Sequence, residues 1–220
     1  MGWFITFIDS SIGKKLVMAL TGLFLATFLI VHLIGNLFLL SPTKDLFEAY
    51  SEFMASNKNI PIRIIEIGLF ILFIYHIING IRLWYMNYIA RGSVRYKKND
   101  PNENSSFFSR FMVVSGVIVF LFLVLHLWDF FFPFRYGGET GMYEHVIKRF
   151  NDPLYSTIYL VAFILLCFHL IHGVQSAFQT LGVRHNKYTP FIKTTGIIFS
   201  ILICTGFAII PLYFLINKGV

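Results

Sequence analysis

Five histidines fall inside long apolar stretches of this chain: His32, His76, His126, and the pair His169 and His172. An ionisable side chain in a lipid-buried segment is costly and marks function by default. One imidazole alone is equally well explained as a hydrogen bond between helices. Four consecutive stretches each carrying one are not. Imidazole is the commonest neutral metal ligand, and a bundle of helices builds cofactor sites from facing side chains. His145 and His185 fall in connections and receive no role. Cys167 and Cys204 lie in apolar runs without CxxC or CxxCH spacing, which points away from zinc and from covalent haem attachment and leaves them as small buried hydrophobes.

The elements that must position these histidines follow from composition. The chain has 220 residues, 26 of them Phe, with 56% hydrophobic and 13% charged positions and a mean hydropathy of +0.70. Soluble domains carry about a quarter charged residues, so this chain belongs in lipid. A secreted disulfide scaffold and a nucleic-acid binder are excluded. A span needs about 20 mostly apolar residues, and five such stretches occur, at 15–40, 62–89, 110–134, 153–181 and 192–216. The first is too long for a cleavable signal core and is expected to be retained. Turn-rich segments separate the spans, among them Ser41-Pro42-Thr43, Asn99-Asp100-Pro101-Asn102 and Gly137-Gly138. The expected fold is an all-α integral membrane protein, one transmembrane domain over 1–220, whose first four spans form the histidine-bearing bundle. The chain reads as free of internal repeats, which argues against a proton-coupled transporter using the histidines as a relay.

Basic residues set the orientation. With the N-terminus in the cytoplasm and the C-terminus outside, Lys14, Lys15, Arg82, Arg91, Arg95, Lys97, Lys98, Arg110, Arg184, Lys187 and Lys193 are inside, and most acids are outside. The basic face serves topology and anionic lipid, or equally the docking of a soluble partner.

At about 1.5 Å per residue, His32 and His126 lie about 26 and 24 Å from the basic residues at their inner ends, and His76 and His172 about 22 and 18 Å. Two pairs at two depths, the outer from His32 and His126 and the inner from His76 and His172, suit two irons, each held axially by imidazoles from two helices with a flat macrocycle between. A tetrahedral zinc ion would want its ligands at one point. Gly35, Gly80, Gly173 and Ser176 lie within a turn of these histidines and permit close backbone approach. Arg82 could pair with a haem propionate or snorkel to the interface.

The stretches TGLFLATFLIVH ending at His32, HIINGIR from His76 to Arg82, HLW from His126 to Trp128, and HLIHGVQSAFQTLG from His169 to Gly182 resemble the single-chain, five-span, two-haem cytochrome b subunit of succinate:quinone oxidoreductases, the succinate dehydrogenases and fumarate reductases. The likeness covers about residues 10 to 185. It implies two non-covalent haem b groups, with His172, the histidine of the HG pair, as the fourth-span ligand and His169 in a hydrogen-bonding role. It also implies an anchor in the bacterial cytoplasmic membrane that passes electrons between a quinone, menaquinone by analogy, and two soluble partners of the respiratory complex, a flavoprotein with covalent FAD and an iron–sulfur subunit. The chain has no Gly-rich dinucleotide fingerprint and no cysteine cluster, so dicarboxylate chemistry is expected on those partners. The rival reading is the cytochrome b anchor of another quinone-linked dehydrogenase, such as a hydrogenase.

A quinone exchanges protons as well as electrons and needs a titratable group near a haem edge. In the first connection Leu46, Phe47, Tyr50, Phe53 and Met54 recur at helical spacing, with Glu48 and Glu52 on the other face, as in a helix lying at the interface. Glu52 is the first candidate for proton exchange, Glu48 the second, and Asp129, one turn beyond His126, competes with both.

Overall fold

Hydrocarbon offers no partners to backbone N–H and C=O groups, so a chain crossing it must satisfy them within a helix. The structure, a computed structural model, describes residues 2–90, 107–183 and 185–217. Its helices are α1 (Trp3–Asp9), α2 (Ser11–Leu37, prolonged by a 3-10 turn Phe38–Leu40), α3 (Asp45–Ala55), α4 (Ile60–Ala90), α5 (Phe107–His126, continued by a π turn Leu127–Phe131 into Phe132–Arg135), α6 (Met142–Phe150), α7 (Pro153–Thr180) and α8 (Thr189–Ile216). The turn at 99–102 and the basic residues Arg91, Arg95, Lys97, Lys98, Arg184 and Lys218 lie outside the described residues, as does the Arg110 side chain.

Ser11–Leu40, Ile60–Ala90, Phe111–Arg135, Pro153–Thr180 and Thr189–Ile216 are long and apolar enough to cross a membrane, and they match the expected spans to within a few residues. The first begins before Lys14 because Ser10 caps it, its Oγ accepting from Gly13 N at 2.9 Å. Asp152 caps α7 in the same way, accepting from Leu154 N at 2.9 Å, with Pro153 in the first turn, where a missing N–H is tolerated.

Two short helices cover one end of the bundle, here termed the cap end. The first, α3, was expected. The second, α6, replaces what read as a glycine turn: Gly138 and Gly141, at φ +72° and +74°, lead the chain into a helix whose Val146 and Phe150 are buried. Glu48 of α3 ties the two together, its Oε1 accepting from Tyr143 N at 3.0 Å.

The central helix is α7, which packs on α8, α5 and α2, while α2 also packs on α4 and α8. The histidine-bearing spans therefore run in the order α4, α2, α7, α5. The fifth span is an integral part of the core: Ile203, Cys204, Phe207, Ile210 and Phe214 interlock with Ala26, Leu39, Phe163 and Leu170. Gly206 makes this approach possible, since a Cβ there would stand 2.7 Å from a methyl of Leu33. By contrast α4 buries only Asn79, whose Nδ2 donates to Lys14 O at 2.9 Å.

Candidate functional site

The structure brings His32 of α2 and His126 of α5 face to edge near the cap end, ring centres 5.8 Å apart and planes at 84°. Each ring stacks on the phenylalanine one turn earlier in its own helix, Phe28 on His32 at 5.2 Å and Phe122 on His126 at 5.9 Å. Asn36 Nδ2 lies 3.4 Å from His32 Nδ1 and donates to the His32 carbonyl at 2.8 Å.

His126 opens a hydrogen-bonded chain toward the cap end. Its Nδ1 is 3.2 Å from the Tyr159 hydroxyl, which is 3.2 Å from that of Tyr155. Tyr155 donates to Asp129 Oδ2 at 2.5 Å, and Arg149 holds Oδ1 at 2.6 Å. An ionised carboxylate only accepts. Running back from it, Tyr155 O accepts from Tyr159, and Tyr159 O accepts from His126 Nδ1–H. The proton of His126 is thus on Nδ1, and Nε2 carries the free lone pair. His145, assigned no role from the sequence, lies 3.5 Å from the same Asp129 oxygen, between the rings of Phe130 and Phe134. Asp129 is 8% exposed and sits in the π turn; such turns recur at functional sites. A groove of about 380 Å³ lined by Leu121, Val124, Leu125, Trp128, Asp129, Arg149 and Tyr155 opens beside it.

The second level lies toward the other end. There His76 Nδ1 is 3.1 Å from Thr21 Oγ1 of α2, and His169 Nδ1 is 3.5 Å from Ser115 Oγ of α5. Both hydroxyl residues precede the cap-end histidine of their helix by three turns, so the two levels are separated by about 16 Å.

The parallel between the two halves overturns the expectation that the chain lacks a repeat. Thr21, Gly22, Phe28, Leu29, His32 and Leu33 recur at the same spacing as Ser115, Gly116, Phe122, Leu123, His126 and Leu127. Phe70, Ile71, Leu72, Tyr75, His76, Ile78, Asn79 and Gly80 recur as Phe163, Ile164, Leu165, Phe168, His169, Ile171, His172 and Gly173. The contacts repeat with the letters: a Cβ on Gly22 would stand 3.4 Å from His76 Cε1, and one on Gly116 3.4 Å from His169 Cε1. In this register His169 is the counterpart of His76, and His172 that of Asn79.

Other expected residues stand elsewhere. Gly35 admits Tyr50 rather than a flat ligand, since a Cβ there would meet the Tyr50 hydroxyl at 2.2 Å, and nothing lies within 4 Å of a Cβ on Gly173. Arg82 Nη2 bonds Asp9 Oδ1 at 3.0 Å. Glu52 is exposed, and Glu48 is engaged with Tyr143 and with the Ser51 hydroxyl. Burial raises the Tyr50 hydroxyl above its ordinary pKa. It does the same to Tyr143, helped by Tyr213 and Glu144 and opposed by Lys44.

In comparison with known proteins, the family model described as succinate dehydrogenase/fumarate reductase transmembrane subunit matches this chain in two consecutive stretches, residues 16–101 and 101–210. No curated protein and no solved structure matches it.

Proposed function

The chain belongs to the succinate dehydrogenase/fumarate reductase transmembrane subunit family, and on that premise we propose that it is a two-haem anchor, carrying electrons between a membrane quinone and the flavoprotein and iron–sulfur subunits that membership implies. The observation that carries this reading is the approach of the His32 and His126 rings from two spans, with His76 and His169 at a second level, against Thr21 and Ser115 at corresponding positions of α2 and α5.

The donor set fits the group. In His126, His76 and His169 a proton on Nδ1 held by a hydroxyl leaves Nε2 free, and the 5.8 Å between the His32 and His126 ring centres is of the order spanned by a metal ion bonded at about 2 Å to a nitrogen of each. Bound haem iron would take up and release single electrons at each level. His32 and His126 would hold one haem. For the other, the repeat and the Ser115 contact favour His169 as the partner of His76, in place of the expected His172. The chain's own residues hold the rings: Tyr159 orients His126, and Gly22 and Gly116 admit His76 and His169. Arg82, paired with Asp9, remains a candidate for a propionate only if that surface pair opens.

For quinone we propose the groove beside Asp129. It offers an apolar wall, a carboxylate to exchange a proton, and Arg149 as a donor to a ring oxygen, and its lining residue Tyr155 is one tyrosine removed from His126. Glu48 and Glu52 are weaker candidates, one held by α6 and the other solvated. The quinone is proposed to be menaquinone and the membrane the bacterial cytoplasmic one, both by analogy with two-haem members of the family, and the N-terminus is proposed inside from the distribution of basic residues. The test is purification of the assembled complex with quantification of haem per chain and identification of co-purifying subunits. Two haems with a flavoprotein and an iron–sulfur protein support the reading, and a hydrogenase-type partner favours the rival anchor.

A further inference from the structure

We infer that Thr21 and Ser115 are paired positioning residues that fix the protonation pattern of His76 and His169 and thereby set the reduction potential of the haem these would hold. The inference rests on the two-haem reading above and goes beyond it, since it concerns residues that touch neither iron nor quinone.

A hydroxyl has one proton to give and lone pairs to accept with. Thr21 Oγ1 gives its proton to the preceding turn, 2.8 Å from Val17 O and 3.1 Å from Met18 O. Toward His76 Nδ1 it can therefore only accept, so Nδ1 bears the proton and Nε2 the free lone pair. Ser115 is arranged alike, donating to Met112 O at 3.0 Å while facing His169 Nδ1. Both side chains are buried, Ser115 to 1% and Thr21 to 9% exposure, so water does not take their place.

Bonding to the preceding turn is the ordinary fate of such hydroxyls in apolar helices, and Thr27 shows that case alone, donating to Leu23 O at 3.0 Å from an exposed position. Thr21 and Ser115 differ from it in two respects. Each meets a histidine on a neighbouring helix, and each is followed by the glycine that lets that ring lie close. The same pair of residues does so in both halves of the chain. An Nδ1–H donated to an acceptor fixes ring orientation and raises the basicity of the other nitrogen, which favours the oxidised metal and lowers its potential.

The experiment uses the purified complex with Thr21→Val, Ser115→Ala, the conservative Thr21→Ser and Ser115→Thr, and Thr27→Val as control. Haem per chain and the midpoint potential of each haem are measured by spectroscopic redox titration. The expected result is two haems retained, with only the haem held by His76 titrating at higher potential in Thr21→Val and Ser115→Ala, wild-type values in the conservative variants, and no change in Thr27→Val. If Thr21→Val or Ser115→Ala fails to assemble or loses that haem, recovery by the corresponding conservative variant supports the inference. Unchanged potentials, equal shifts of both haems, or no recovery by the conservative variants would overturn it. Failure of the underlying reading shows separately, as a wild-type complex without two haems.

Discussion

The Tyr159 hydroxyl stands 3.2 Å from Nδ1 of His126, and Tyr159 is only 3% exposed, so the proton on that nitrogen has no water to turn to. Tyr159→Phe leaves it unpaired. An unsatisfied buried donor costs about 1–3 kcal/mol, and we expect the thermal midpoint of the complex to fall with the spectrum of only the haem held by His126 altered. Identical melting and unchanged spectra of both haems would remove Tyr159 from the site.

Replacing His32 or His126 by alanine should eliminate one haem and spare the other, because a dry core supplies no substitute ligand. His76→Ala should eliminate the other haem. On α7 the decisive pair is His169→Ala, expected to lose the haem held by His76, and His172→Ala, expected to keep both. The reverse outcome, read from pyridine haemochrome content and low-spin spectra, restores the assignment drawn from the HG pair.

Asp129→Asn should lower quinone-linked turnover by about tenfold or more while haem content and dye-linked succinate oxidation stay at wild-type values. Glu52→Gln should leave turnover near wild type, and Glu48→Gln should cost stability at the α3–α6 contact more than activity. Full quinone activity in Asp129→Asn places the proton exchange elsewhere.

Gly35→Ala should destabilise the cap end by about 1–3 kcal/mol, since its new methyl would overlap the Tyr50 ring. Adding Tyr50→Leu should recover most of the loss in thermal denaturation. A Gly35→Ala complex as stable as wild type would mean that the two side chains readily part.

How much of this was readable in the letters varies with the physics behind each feature. The spans were legible because lipid imposes one answer on a long apolar run, and α3 because its apolar residues recur at helical spacing. The helix α6 was missed although Met142, Val146 and Phe150 carry the same spacing, because the flanking glycines read as a turn. The nearness of the His32 and His126 rings followed from helix length alone. The choice between His169 and His172 did not: three residues apart, they lie on neighbouring faces. The repeated FIL–H–I–G pattern, once aligned, sets His169 opposite His76 and carries the proposal of His169. Similarity between two apolar helices is easily lost in the general excess of Ile, Leu and Phe, and only the rare letters, His, Gly and the hydroxyls, carry the signal. The chain His126–Tyr159–Tyr155–Asp129 joins different helices and becomes visible only when they are packed.

The π turn at Leu127–Phe131 decides more than its own five residues. In an unbroken α-helix each residue advances about 100°, so nine steps would put His126 and Arg135 on opposite sides of α5, about 180° apart. The π turn absorbs one residue, and the angle between them falls to about 80°. One rod can then offer an imidazole to the interior and still deliver Arg135 to Glu66 and Asn57 beside the cap. Removing one residue from the turn should swing the cap end of α5 away from its partners while leaving the membrane-crossing length intact.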